Sequence, residues 1–151
     1  MKIAVGSDHA GYYLKAFILA ELGEEGYETI DCGTDSPESV DYPDYAGEVC
    51  RRVVGGEVDY GVVICSTGIG VSIAANKVPG IRAALCHTEF SAFMARRHNN
   101  ANVLALGGNV LGNLLARSIT LTFIDEHFSH GERHVRRIKK ISGMEEHQPE
   151  S

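Results

Sequence analysis

The stretch that most limits what this chain can become is residues 61–77, GVVICSTGIGVSIAANK. Val62-Val63-Ile64-Cys65 is an unbroken apolar run, mostly β-branched and bounded by turn formers, the pattern of a strand buried on both faces. It breaks at Ser66-Thr67-Gly68-Ile69-Gly70, and residues 71–76 resume as a helix start. Such a strand feeding a helix through a glycine loop belongs in a parallel sheet covered by helices. The loop also gathers unpaired main-chain N–H groups at one point, with the helix dipole behind them. Those donors suit a phosphate, a carboxylate or a developing oxyanion.

Cys65 closes the strand at its carboxyl end, the edge where open α/β sheets bind ligands. Two readings of it stand. A free cysteine is among the most buried residue types and can simply fill the strand's end. A thiol facing helix N–H groups can also work as an acid/base or a nucleophile, because those donors favour the thiolate.

The rest of the chain repeats the strand–helix pattern. Residues 3–6 form a short strand that stops at Ser7-Asp8-His9-Ala10-Gly11, and 12–22 have helical apolar spacing ended by Gly23 and Gly26. Asp8 or Ser7 can cap that helix. A carboxylate beside the His9 imidazole can equally fix its tautomer and move protons. A strand over 27–31 is followed by a polar loop, then by Asp41-Tyr42-Pro43 and a helix over 45–54 capped by Gly55-Gly56. Tyr42 and Asp41 read first as a turn before that helix. A fourth strand is expected over 80–86, a helix from 88 or 89 to 97, a loop at 96–102 and a fifth strand over 103–106. His98, near a helix C-terminus, can be a stabilising cation. After Gly107-Gly108-Asn109 a helix is expected over 111–123, extending towards His127.

The only basic cluster, residues 132–141, places Arg133 and Arg137 four apart on one helix face, where both guanidiniums can grip one phosphate or simply be solvated. Five strands alternating with helices predict a three-layer α/β/α fold with a five-stranded parallel, Rossmann-like sheet. Strand order stays open. We expect one domain over 1–143, its last helix at about 132–143, and a polar, flexible tail over 144–151.

Composition narrows the function classes. A net charge of -6 over 151 residues argues against a nucleic-acid surface, which needs clustered cations. No apolar run approaches the length of a membrane span. Cys32, Cys50, Cys65 and Cys86 have no C-x-x-C spacing, and Met1 leads straight into a strand pattern. The expectation is a cytoplasmic protein with reduced thiols and no cysteine metal site. No G-x-G-x-x-G follows the first strand, which disfavours a dinucleotide.

The ordered set GSDHAG, DYPDYA, CSTGIGVSIAANKVPGIRAA, HNNANVLALGG and GERHVRRI resembles the ribose-5-phosphate isomerase B family and its galactose-6-phosphate and allose-6-phosphate relatives. The resemblance runs from Ile3 to about Ile141. It implies interconversion of a phosphorylated aldose and its ketose through a cis-enediolate, without metal or nucleotide. Cys65 matches the catalytic base, and Thr67 the residue assisting proton movement at the substrate oxygens. The N–H groups of Gly68, Ile69 and Gly70, with the Asn76 side chain, match an oxyanion hole. His98, with Asp8, matches the pair that opens the sugar ring. His9, Arg133 and Arg137 match phosphate ligands, while Asn99 and Tyr42 match hydroxyl ligands. In that family the site forms between two subunits, so a homodimer or a dimer of dimers is implied.

Two positions bear on which member this is. Relatives using a glutamate base lack a cysteine at 65, and near position 74 this chain has only Ala74 and Ala75. Where many members carry an arginine after the glycine pair, this chain has Asn109. The resemblance thus implies the ribose 5-phosphate reaction first. A six-carbon sugar-phosphate isomerase and a non-catalytic phosphosugar-binding module are the alternatives.

Overall fold

The fold of the chain, a computed structural model that describes residues 1–146, follows from alternation along its strands. In β1 (Lys2–Ser7), Ile3 and Val5 face one helical layer and Ala4 the other. Val62 and Ile64 against Val63 and Cys65 repeat this in β3 (Tyr60–Cys65), as do Leu104 and Leu106 against Val103 and Ala105 in β5 (Val103–Gly107). Both faces are therefore apolar, as the unbroken runs require. The short strands β2 (Glu28–Asp31) and β4 (Ala83–Leu85) close the edges. The sheet is parallel in every pairing, with order β2-β1-β3-β5-β4.

This order dictates which helix covers which face. Right-handed crossovers put helices of opposite travel on opposite faces. The chain steps one way from β1 to β2 through α1 (Tyr12–Glu24), and from β4 to β5 through α4 (Glu89–Asn99). It steps the other way through α2 (Tyr42–Val54) and α3 (Ile69–Ala75). Accordingly α1, α4 and α5 (Asn113–Asp125) share one core, with Ile18, Ala95 and Phe123, and α2 and α3 share the other, with Val49, Cys50 and Val71. The second face is built from small residues. A Cβ on Gly61 would lie 2.5 Å from Val49 Cγ1, so α2 packs directly on the backbone. The last helix, α6 (Glu132–Gly143), rests on α4.

The expected α/β class and five parallel strands are present, and several boundaries differ for local reasons. Gly11, not Asp8 or Ser7, is the N-cap of α1, and Asp8 instead bridges the turn before it. Tyr42 is already helical, with Asp41 as N-cap and Pro43 in the first turn. The Ile69–Ala75 helix starts two residues early because Gly68 turns the chain at φ 77°. β4 keeps only three of the seven residues expected: Arg82 N ahead of it donates to the Asn102 side chain, and at its start Ala83 N donates to Asn76 Oδ1. His98 and Asn99 lie in the last turn of α4 rather than in a loop, with Asn100 left-handed at φ 45° as the cap. Of the expected tail, residues 147–151 lie outside the described residues, while Glu145 accepts from Gly80 N at 3.0 Å.

The end of α4 is fixed by a buried cation. Arg96 donates through Nη1 to Ala101 O (2.6 Å) and Asn100 Oδ1 (3.0 Å) and through Nη2 to Tyr60 Oη (2.6 Å). Its guanidinium lies over the Tyr60 ring at 4.4 Å. Arg96→Met strands a carbonyl and a phenol inside the protein, and we expect it to cost about 2–4 kcal/mol. Urea unfolding measures this as a lower midpoint at unchanged slope.

Candidate active site

The carboxyl ends of β1, β3 and β5 carry three loops that are laced together. Asp8 N donates to Ile64 O (3.2 Å), and Gly108 N and Asn109 N donate to Cys65 O (2.8 Å) and Ser66 O (2.9 Å). Asn109 Nδ2 also donates to Ser66 Oγ at 2.9 Å. At position 109, where the sequence suggested a missing cation, the side chain holds the cysteine loop in place. β1 and β3 are adjacent, yet the chain leaves them in opposite directions. That reversal opens a crevice at the strand ends, where α/β sheets take ligands.

Cys65 ends β3 at this switch point, 5% exposed, and its Sγ accepts from Gly68 N at 3.2 Å. The bond exists because Gly68 is left-handed and pressed on β5, where an added Cβ would meet Leu106 C at 2.8 Å. Ile69 N donates to Thr67 Oγ1 at 3.2 Å. Two of the three amides expected to form an oxyanion hole are thus turned to the thiol and to Thr67, which leaves that of Gly70 open. Tyr42 stands against this helix start, since a Cβ on Gly70 would lie 2.7 Å from Tyr42 Cζ.

Asp8 Oδ1 accepts from Ala10 N (3.0 Å) and Gly11 N (3.1 Å), so it braces the first loop and does not touch the neighbouring imidazole. The donor to His9 Nδ1 is the main-chain N–H of Val40, at 3.2 Å. Asn76 falls outside the site. It caps the far end of α3, and its amide is spent on Ser72 O, Ala83 O and Ala83 N, at 3.0, 3.0 and 2.9 Å. There it pairs the free edge of β4 like a short strand.

The other candidates sit at the opposite edge of the sheet. α4 leaves β4 at the carboxyl edge and returns to the start of β5, so His98 and Asn99 lie at the amino edge. A strand of this length spans about 17–20 Å, too far for His98 to serve the Cys65 of its own chain. Arg82, just ahead of β4, confirms the placement, with Nε 3.1 Å from both Asn99 O and Asn100 O. α6 adds the cations here. The His134 ring stacks on that of His98 with centroids 4.1 Å apart and planes 14° from parallel, and Arg133 Nε donates to His134 Nε2 at 3.4 Å. His98, Arg133, His134 and Glu132 line an open cleft of about 520 Å³. Burial, then His98, Arg133 and Arg137, push the His134 imidazole below its ordinary value. Nothing in the sequence marked His134, because it reads as one more polar residue in a basic segment.

The candidate residues therefore fall into two groups: Asp8, His9, Tyr42, Cys65, Thr67 and the Gly68–Gly70 turn at one edge of the sheet, and His98, Asn99, Arg133 and Arg137 at the other. Fold and site define an open α/β protein with a thiol at its topological switch point and a cationic cluster at the reverse edge. The family profile described as Ribose/Galactose Isomerase matches residues 3–141, and the chain belongs to that family. It is 49% identical to the ribose-5-phosphate isomerase B of Escherichia coli (strain K12), over 96% of this chain and 97% of the relative. It superposes on a ribose-5-phosphate isomerase B of Clostridium thermocellum with a TM-score of 0.95, at 53% identity, covering 97% and 98% of the two chains. It superposes on the type B ribose 5-phosphate isomerase of Trypanosoma brucei with a TM-score of 0.92, at 47% identity, covering 95% and 97%. Among the described residues no helix is long and apolar enough to cross a membrane.

The depressed His134 imidazole has a consequence for stability. The unfolded chain binds that proton at a higher pH than the folded one, so stability is full above pH 6.5 and falls as the pH drops through the lower folded value. Chemical denaturation from pH 7.5 to 5 should show this loss, and His134→Gln should remove its share of the slope.

Proposed function

We propose that this protein interconverts ribose 5-phosphate and ribulose 5-phosphate, with Cys65 as the base. The observation that carries the reading is the Cys65 thiol at the carboxyl end of β3, at the topological switch point, with the Gly68 N–H donating to its sulfur, in a chain of the ribose/galactose isomerase family. A proton alpha to a carbonyl needs a base near its working pH, and a free thiol titrates at about 8.5. Burial pushes the other thiols up, Cys50 to about 11, and Cys32 and Cys86 in the same direction.

In this reading the thiolate takes the proton from C2 of the open-chain aldose and the C1 carbonyl oxygen gains the negative charge; the O2 hydroxyl proton moves to O1 with help from Thr67, and the thiol returns its proton to C1 as the C2 carbonyl forms. The Gly68 N–H offers the thiolate a hydrogen bond while it is charged. The Gly70 N–H and Thr67 Oγ1 face the substrate oxygens. Ring opening falls to His98 and phosphate binding to His9, Arg133 and Arg137, with Asn99 and Tyr42 on hydroxyls. Since His98 and its cations lie at the opposite edge from Cys65, the working site joins one chain's crevice to the cationic cluster of a second copy. The exposed apolar side chains Ile69 and Ile73 on α3, Val110 in the turn after β5 and Leu114 on α5 suit such docking. The protein is then a homodimer or a dimer of dimers. Its four free thiols fit the reducing cytoplasm, and the interconversion belongs to the pentose phosphate pathway.

A six-carbon substrate is the second reading, favoured by Asn109. Spent on Ser66, it brings no cation and leaves room at the crevice. Relative kcat/KM on ribose 5-phosphate and allose 6-phosphate decides between the two, and a tenfold preference for the hexose phosphate overturns the first.

Cys65→Ala should lower kcat by about 10²–10⁴-fold while substrate affinity stays close to wild type. The Cys32→Ala/Cys50→Ala/Cys86→Ala variant should keep its turnover. The shared site is tested by mixing two inactive variants, Cys65→Ala and His98→Ala. Random reassociation leaves one intact site in each mixed dimer, so about a quarter of wild-type activity should return. A mixture that stays inactive although its subunits exchange argues for a site within one chain.

A further inference from the structure

Lys15 sits on the buried stripe of α1, between Leu14 and Ile18, and is 2% exposed. A buried lysine needs compensation, and here it is complete. Nζ donates to Asp31 Oδ1 and Oδ2, both at 2.8 Å, and to Thr34 O at 2.7 Å. The aliphatic stem lies across Gly33, where a Cβ would come within 2.4 Å of Lys15 Cδ. These contacts fasten the root of the loop between β2 and α2. Thr34 N, next along, donates to Ser7 O at 3.0 Å, so the loop is anchored to the end of β1 as well. Its far end brings the Val40 N–H to His9 Nδ1 at 3.2 Å.

A main-chain N–H can only donate, so Nδ1 must accept, and the imidazole proton is left on Nε2. That nitrogen has no hydrogen-bond partner among the described residues, and His9 follows directly on the carboxyl end of β1. We propose that Lys15 is a positioning residue that, through the 32–41 loop and the Val40 amide, holds His9 as the neutral Nε2–H tautomer and so presents a fixed donor to the substrate's phosphate. This rests on the isomerase reading for the identity of the ligand only. The tautomer is a property of the free protein.

The test reads the ¹⁵N shifts of the His9 imidazole in the substrate-free protein at pH 7.5. The proton is expected on Nε2 in wild type, with Lys15→Met moving the shifts towards the mixed tautomers of a free histidine. A wild-type proton on Nδ1, or identical shifts in folded Lys15→Met, overturns the proposal. Kinetics supply an independent arm with ribose 5-phosphate. Lys15→Met should raise KM about tenfold and change kcat by less than about threefold. His9→Gln keeps a donor near the Nε2 position and has no tautomer to set, so adding Lys15→Met to it should leave KM within about twofold. An equal rise in both backgrounds would mean that Lys15 supports the fold alone. Should Lys15→Met fail to fold, Val40→Pro removes the single N–H and takes its place in both arms. Absence of ribose 5-phosphate turnover in wild type counts against the isomerase reading, and the tautomer measurement still decides the role of Lys15.

Discussion

The right-handed turn of every strand–helix–strand crossover is the constraint from which the site follows. β1 and β3 pair directly, from Ile3 with Tyr60 to Ser7 with Ile64, while the chain leaves the one towards β2 and the other towards β4. The two crossovers must then lie on opposite faces of the sheet. Between them no helix can cover the strand ends, and a crevice opens where Asp8-His9 and Cys65 emerge. Asp8, His9 and Cys65 sit where topology prevents the core from closing.

The two faces of the sheet are unlike, and the difference matters at the crevice. The α1/α5 side is filled by large residues such as Ile3, Ile64, Leu104 and Phe123. The α2/α3 side is thin, with Ala4, Gly61 and Ala105 on the strands, which lets α2 and α3 approach the backbone. Cys65 is on that thin side, and the short α3 can therefore bring its first turn down onto the sulfur. A residue with a Cβ in place of Gly68 would be strained at φ 77° and would strike β5, so the glycine is what lets an amide, rather than a side chain, face the thiol.

Much of this was legible in the sequence because it is local. The unbroken, mostly β-branched run 62–65 reads as a strand covered on both faces, and Gly55-Gly56 as the end of a helix. The ordered motifs carried the family. What the sequence could not give was long-range pairing. Asp8 next to His9 suggested a carboxylate–imidazole pair, yet the donor to His9 comes from Val40, 31 residues away, and Asp8 turns to its own loop. Asn76 sits in a matching motif, but the exposed edge of β4 claims its amide, and an edge is invisible until strand order is known. His98 and Asn99 read as loop because three asparagines follow one another closely. The left-handed cap came one residue later, at Asn100, and the Arg82 and Arg96 guanidiniums that hold this turn are recognisable only in three dimensions.

The division of candidates between two edges has an energetic side. α6, which carries Arg133 and Arg137, rests on little besides α4, and its exposed flank is crowded with like charges: Arg136, Lys139 and Lys140 stand exposed beside the two site arginines. An anion bound there relieves repulsion within one helix, whereas the crevice around Cys65 offers mainly neutral amides. Under the proposed function a sugar phosphate needs both halves, the cations of one meeting His9 of the other around its phosphate, and the amides beside Cys65 facing the enediolate. Under the shared-site reading the substrate is itself part of the contact between copies, and linkage then requires that it favour the assembled form over the separate chains. Catalysis and assembly would be two readings of the same free energy.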